Sequence, residues 1–279
     1  MTRQDDESGG AAPARSLMLT FLGIYALGRN TAISSGSVIE VFKGSGVSEQ
    51  AVRATLSRMA RRGLLVRHRR GRKVYLAISR HAREVLEDGH RRVWASDAVN
   101  RDWDGSWTVV GFSMPDTRRR ERHDLRSELI WARFGQLRNG LWIAAGEVEV
   151  TDIVQRLGVA DSVTVLTAKA TKPTESADLV DKAFDVASIA ARYRAFLDRW
   201  DVPSPMVGAQ DDLARQLQLH TDWLHLVRQD PRLPAEHLPD DWPAIRAESV
   251  FRALAARYEP TAARVAAEIL DEIMLQPGT

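Results

Sequence analysis

The chain contains no cysteine. That absence excludes disulfides, thiolate catalysis, iron–sulfur clusters and every zinc site that needs sulfur, so any redox chemistry would have to come from a bound cofactor. No uncharged apolar run approaches the roughly 18 residues of a membrane span. Met1 to Arg15 also lacks the apolar stretch of a signal peptide. A soluble, cytoplasmic protein with no membrane partner is expected. A glycine-rich phosphate loop, a GxSxG elbow and an HExxH pair are absent as well, so no catalytic constellation is visible. Aromatic residues make up only 7%, and of the eight tryptophans Trp103, Trp107, Trp131 and Trp142 fall in the middle of the chain. Core and interface duties in a small sheet explain them better than an aromatic ligand cage.

What is present is enough apolar material, 44% of 279 residues, for about two ordinary globular domains. A net charge of only +2 conceals segregation: up to Ala95 there are 17 Lys and Arg against 8 Asp and Glu, and beyond it 22 against 29. The N-terminal part therefore has an electrostatic task.

Residues 1 to 15 have little to bury and read as a disordered tail. Ser16 can cap a buried helix carrying Leu17, Phe21, Leu22, Ile24 and Tyr25, which stops near Gly28. A short second helix spans about Ser37 to Phe42, before a turn at Lys43 to Gly46. The third has the clearest start in the chain: Ser48 as N-cap, Glu49 on the helix dipole and Val47 stapled to Val52. Val52, Leu56 and Met59 share one face and leave Gln50, Arg53, Ala54, Ser57, Arg58 and Arg61 outward. Those types suit a DNA groove, since Gln and Arg bond base edges in pairs while Ala and Ser allow close approach.

Leu64 to Val66 and Val74 to Leu76 then form a hairpin whose tip carries Arg67, Arg69, Arg70, Arg72 and Lys73 with Gly71 for the turn. Five cations within seven residues are assigned to phosphate contact and counterion release. In this order the elements form a winged helix-turn-helix, with Gln50, Arg53 and Ser57 reading bases, Ser48 capping the reading helix, and the hairpin cations gripping phosphates. A connector helix from about Ser79 to Trp94 leads out.

The middle segment reads strand, helix, short strand, strand, helix, strand: Trp107 to Met114, Pro115 to about Ala132, Phe134 to Leu137, Gly140 to Ala144, Val150 to Leu157 and Ser162 to Ala168. That is a ferredoxin-like βαββαβ module. From Asp181 the chain is helical, with a proline-rich crossover from Asp230 to Pro243 before two last helices, about Ala244 to Tyr258 and Thr261 to Leu275. The expected fold is α+β, with a winged helix at 16–95, the ferredoxin-like module at 96–175 and an all-α C-terminal domain at 176–279. His220 and His225 are five apart and share no helix face, so His220, Asp222 and His225 are not expected to hold a metal. Asp116 after the first central strand allows a metal-dependent nuclease as a competing reading, although one carboxylate is a poor two-metal site. An architectural DNA binder without an effector is a third reading.

Four separated motifs resemble the PaaX-like family of bacterial repressors: Val47 to Met59 with Gly63 and the basic wing; Trp103-Asp104-Gly105-Ser106-Trp107 with Phe112 to Pro115; Gly140-Leu141-Trp142; and Asp230-Pro231 with Leu233-Pro234, Leu238-Pro239 and Asp241-Trp242-Pro243. The resemblance covers Ser16 to Leu275. It implies a homodimer joined through the central module, which is similar to small CRISPR-associated nucleases. It also implies a palindromic double-stranded DNA operator, repression of a catabolic operon such as one for phenylacetate, and release by an aryl-CoA or other acyl-CoA thioester. No catalytic cofactor is implied. Family members often carry Trp-Arg just before the Asp-Pro motif, where this chain has Trp223 and His225 with Arg228 later. A CoA thioester needs cations beside aromatic rings, and Trp131, His220, Trp223 and Arg228 are the candidates.

Overall fold

The computed structural model describes residues 14–94, 98–206 and 209–275. They fall into two compact units, Met1–Ser96 with Arg199–Leu224 and Val250–Thr279, and Asp97–Asp198 with His225–Ser249. The expected tail lies outside the described residues up to position 13.

In the first unit the helices are α1 (Ala14–Tyr25), α2 (Ser35–Gly44), α3 (Glu49–Arg61) and α4 (Arg80–Trp94), and a four-residue strand β1 (Thr31–Ser34) stands between α1 and α2. α1 begins two residues before the expected cap, so Ser16 lies inside it, exposed. Leu17, Met18, Phe21, Leu22 and Tyr25 make a buried stripe at helical spacing, and it packs with Val38, Val41 and Phe42 of α2 and Val52, Leu56 and Met59 of α3. Phe21 meets Phe42 edge to face at 5.8 Å between ring centroids. Each large side chain so buried contributes about 1.5–3 kcal/mol. Ser79 caps α4, its hydroxyl accepting the Ala82 N–H at 3.1 Å.

The sheet of this unit runs β2-β3-β1-β8, where β2 (Leu65–Arg70) and β3 (Lys73–Ile78) form the hairpin and β8 (Glu272–Met274) comes from the far end of the chain. Ile33 pairs with Leu76 of β3 on one side and Glu272 of β8 on the other, both antiparallel. One face of the sheet joins the helical core, and the other holds Ala32, Tyr75 and Ala77 against Ile273 and Leu275. An all-helical C-terminal segment is thereby corrected. A single 27-residue helix, α10 (Pro243–Ile269), replaces the two expected, and the chain ends on a strand. Pro260 removes one backbone donor from α10, but Ala262 and Ala266 beyond it are buried in the core and hold the helix together. α9 (Asp212–Arg228) adds Leu213 and Leu217 to the same core, and its Gln216 accepts a 2.7 Å bond from the Tyr25 hydroxyl.

The second unit contains β4 (Ser106–Phe112), α5 (Arg119–Trp131), β5 (Gly135–Arg138), β6 (Leu141–Ala145), α6 (Thr151–Leu157) and β7 (Val163–Lys169), followed by α7 (Ser176–Ala183) and α8 (Val186–Trp200). The sheet order is β5-β6-β4-β7, antiparallel throughout. Val110, Leu125, Leu129, Phe134 and Trp142 fill the layer between sheet and helices. Gly140 has φ +75°, and a Cβ there would stand 2.5 Å from the Phe112 carbonyl, so only glycine fits. Trp107 and Trp142 are buried, whereas Trp131 is 57% exposed. Within the proline-rich crossover Asp230 is buried and accepts the Tyr193 hydroxyl and, at 2.6 Å, the Arg232 N–H. Burial pushes the Asp230 carboxyl and the Tyr193 phenol above their ordinary pKa values.

Candidate nucleic-acid interface

Ser48 caps α3 with its hydroxyl accepting the Ala51 N–H at 3.3 Å, and Glu49 sits in the first turn, where its charge complements the helix dipole. Val52, Thr55, Leu56 and Met59 are buried, which fixes the rotation of the helix about its axis. Ser48, Gln50, Arg53, Ala54, Arg58 and Arg61 are exposed, and Ser57 is half-buried. Arg53 Nε donates to Glu49 Oε1 at 2.7 Å, an i, i+4 pair that holds the guanidinium along the helix surface. Arg58 Nη2 donates to Thr55 Oγ1 at 3.1 Å.

The hairpin differs from the expected cationic tip. Its strands run on through the basic stretch, Arg69 opposite Val74 and Arg70 opposite Lys73, and the turn shrinks to Gly71-Arg72 with Gly71 at φ +59°. A two-residue turn with a left-handed glycine matches the twist of the strands and lets the ladder continue. Alternation along β2 then puts Arg67 and Arg69 on the face of Leu65, and Arg70 with its partner Lys73 on the face of Tyr75. Arg67, Arg69, Arg70, Arg72 and Lys73 are all exposed. Arg53 and Ser57 of α3 and Arg67 of β2 converge on one groove of about 230 Å³, floored by Ile39, Leu56 and Val74.

Two counter-ions of this surface escaped the sequence reading. One is Glu49 on Arg53. The other is Asp271, whose carboxylate accepts from Lys73 Nζ at 2.7 Å and the Tyr75 hydroxyl at 3.1 Å, while its N–H donates to Ser37 Oγ at 2.9 Å. These bonds hold Asp271 below the usual carboxylate range and Lys73 above the usual ammonium value. No local signal could reveal a partner 198 positions away. Among the described residues no carboxylate pairs with Arg67, Arg69, Arg70 or Arg72.

The four proposed effector residues do not gather in one unit. His220 and Trp223 belong to the first, both buried against Phe251: Trp223 stacks on it at 4.7 Å and 8°, and His220 meets it edge-on at 5.2 Å. Burial, with His90 as a further charge, lowers the His220 pKa to about 4. Trp131 and Arg228 belong to the second unit, Trp131 exposed beside Ile130 and Arg228 half-buried. That unit also contains a cavity of about 840 Å³ where Lys182 and Arg194 stand beside Phe184 and Trp242, with Asp181 and Asp241 on its wall. Asp222 accepts from Trp200 Nε1 at 3.0 Å and Gln218 Nε2 at 2.7 Å and pairs with Arg199 at 3.2 Å. Asp116 is fully exposed and pairs with Arg122 at 2.9 Å. No helix among the described residues is long and apolar enough to cross a membrane.

Comparison with known proteins bears on all of these segments. The PaaX-like protein model matches residues 13–82, the PaaX protein central Cas2-like domain model residues 100–180, and the PaaX-like protein C-terminal domain model residues 184–268. The transcriptional repressor PaaX of Escherichia coli (strain K12) is 25% identical over 259 residues, which is 88% of this chain and 81% of that protein. Among solved structures, the uncharacterized protein Rv0674 from Mycobacterium tuberculosis has a similar fold, with a TM-score of 0.61 at 23% identity over 90% of this chain and 97% of that one. Three consecutive models of one family lie along the chain in order, and the chain belongs to the PaaX-like family.

Proposed function

We propose that the chain is a sequence-specific DNA-binding transcriptional repressor of a catabolic operon rather than an enzyme, working without a catalytic cofactor in the cytoplasm. The observation that carries this reading is the convergence of Arg53, Ser57 and Arg67 on one groove between a capped helix and a hairpin whose Arg67, Arg69, Arg70 and Arg72 pair with no carboxylate among the described residues. The repressor relative in Escherichia coli supports the same role. Helix, helix, hairpin in this order supports a winged helix, and the sheet order β5-β6-β4-β7 supports a ferredoxin-like central module.

In this reading α3 enters the major groove. Gln50, Arg53 and Ser57 read base edges with Ala54 allowing close approach, while Arg58, Arg61 and the hairpin cations Arg67, Arg69, Arg70, Arg72 and Lys73 hold phosphates. Two copies bind a palindromic operator, and an aryl-CoA or other acyl-CoA thioester releases them by favouring a different spacing of the two α3 helices. Trp131 and Arg228 offer accessible surface for that ligand. His220 and Trp223, buried on Phe251, would respond through the core. The Lys182, Arg194 and Trp242 cavity supplies the cations beside rings that a CoA thioester needs.

Binding to DNA upstream of the chain's own gene, at fixed salt, with and without a panel of CoA thioesters, tests the reading. Specific binding released by one thioester is the expected result. Binding no tighter than to random DNA would remove the repressor, and specific binding indifferent to the whole panel would remove the effector.

A further inference from the structure

From Val47 to Ser79 the chain carries nine Arg and Lys and a single carboxylate, Glu49. An acid costs most on such a surface, because it repels the polyanion that its neighbours attract. Glu49 is the first residue of α3, and the N-terminal end of a reading helix is the part that meets base edges. The helix dipole favours an acid there, yet the side chain does more than face solvent. Its Oε1 accepts from Arg53 Nε at 2.7 Å, with 60% of the Glu49 side chain and 63% of the Arg53 side chain exposed. Arg53 in turn lines the groove that Ser57 and Arg67 share. The pair leaves a defined set of atoms unused. Glu49 Oε2 and both terminal nitrogens of Arg53 have no protein partner among the described residues.

We propose that Glu49 and Arg53 together read one G·C base pair, Arg53 binding the guanine and Glu49 the cytosine. This rests on the reading of α3 as the helix in the major groove, and it names the base pair taken there. In that groove guanine presents two acceptors, O6 and N7, and cytosine a donor, the N4 amino group. An arginine can reach O6 and N7 either through Nε and one terminal nitrogen or end-on through both terminal nitrogens. With Nε held by Glu49, the end-on fork is what remains. Glu49 Oε2 beside it supplies the acceptor that the cytosine amino group needs. The inverted pair is wrong at both points, because the guanidinium then meets a donor and the carboxylate meets acceptors. An A·T pair fails in the same way with adenine under Arg53, and with thymine there it offers Arg53 one acceptor in place of two. Pairing with Glu49 also halves the gain from phosphate, since the neutralised guanidinium releases few counterions.

Glu49→Gln separates this role from a dipole or bulk-charge role, because two quantities should move in opposite directions. The amide keeps one oxygen for Arg53, loses the negative charge and turns an NH2 group toward the cytosine amino group. Duplexes selected by the wild-type full-length protein from a random-sequence pool serve as probes, with each G·C pair inverted in turn. For the wild type, inverting at least one such pair should weaken binding about tenfold or more. For Glu49→Gln the penalty at that pair should fall below about threefold, while affinity for random DNA rises. Glu40→Gln is the control, since Glu40 is an exposed acid of α2 paired with Lys43 at 3.8 Å, and its loss should leave every inversion penalty unchanged. Equal penalties for Glu49→Gln and wild type at every pair overturn the proposal. So does a wild type indifferent to every inversion, or a control that relaxes the same pair as far as Glu49→Gln. A wild type that selects no sequence from the pool removes the repressor reading and the proposal together. Selected duplexes read alike by wild type and Glu49→Gln remove the role of Glu49 and leave the repressor standing.

Discussion

β2 and β7 are edge strands of similar length, six and seven residues, each at the margin of an antiparallel four-stranded sheet, and their chemistry is opposite. β2 presents three arginines and a histidine; β7 presents valine, threonine, leucine and alanine with one terminal lysine. An unpaired backbone edge invites another chain in both cases, and what differs is which chain the side chains admit. On β2 the cations repel a protein strand and attract phosphates. On β7 nothing repels a strand, and apolar side chains on both faces lose water when one arrives. The same topological liability thus meets opposite chemistry: β2 suits a polyanion, and β7 leaves an apolar edge.

The largest effect expected from breaking this contrast comes from neutralising the edge of β2. Arg67→Ala, Arg69→Ala and Arg70→Ala combined should reduce the slope of log affinity against log salt by about three, equally for specific and random DNA. These exposed side chains add little to folding, so the thermal midpoint should barely move. An unchanged slope, measured by titration at several salt concentrations, would show that the β2 arginines do not meet phosphates.

The second prediction concerns the interior of the first unit, where His220 is buried against Phe251. His220 is neutral in the folded unit with its pKa lowered to about 4, while in the unfolded chain it titrates near 6.5. Above pH 6.5 both states are neutral and nothing is lost. As pH falls from 6.5 to 4 the unfolded chain takes up a proton that the folded one refuses, and stability drops by about 3 kcal/mol. His220→Phe, beside Phe251, should flatten that part of the profile in urea melts from pH 7 to 4. A variant profile as steep as the wild type would assign the acid loss to other groups.

The third sharpens the difference between reading and gripping. Arg53→Ala should lower discrimination between operator and mutated operator by about 1–3 kcal/mol, while Arg70→Ala weakens all DNA alike and lowers the salt slope by about one. Competition titrations separate the two outcomes, and equal loss on specific and random DNA in both variants would reject the assignment of α3 to the bases.

Legibility in the sequence follows the range of the interactions. α3 could be read because its determinants are local: the Ser48 cap, the Glu49 dipole partner and a 3.6-residue apolar stripe all lie within fourteen positions. The βαββαβ order of the second unit was legible for the same reason, with glycine at 140 and alternating strands as punctuation. The hairpin strands are longer than the sequence suggests, because composition assigns the arginines to a tip, whereas Gly71 lets the ladder carry them. β1 and β8 were missed. Thr-Ala-Ile-Ser is four residues long, and the strand that completes its pairing is about 240 positions away, a contact that no local window reports. The effector candidates were chosen by chemistry alone, and packing divided them between two units.

The smallest predicted effect lies where the missed strand meets the edge that was read. Asp271 leads into β8 and holds Lys73, so it withholds one cation of the hairpin from phosphate. Asp271→Asn keeps a side chain that can accept from the Tyr75 hydroxyl but frees the ammonium. Affinity for random DNA should rise slightly and the salt slope should steepen by up to about one. The folded pKa of Asp271 lies below its unfolded value, so its contribution to stability is present above the ordinary carboxylate range and is lost as pH falls through the folded pKa. Both groups are exposed and screened, which keeps that contribution small. If the variant instead binds DNA more weakly, Asp271 acts by positioning α2 and the hairpin through its bonds to Ser37 and Tyr75, and the segment leading into β8 supports the proposed DNA-binding surface rather than restraining it.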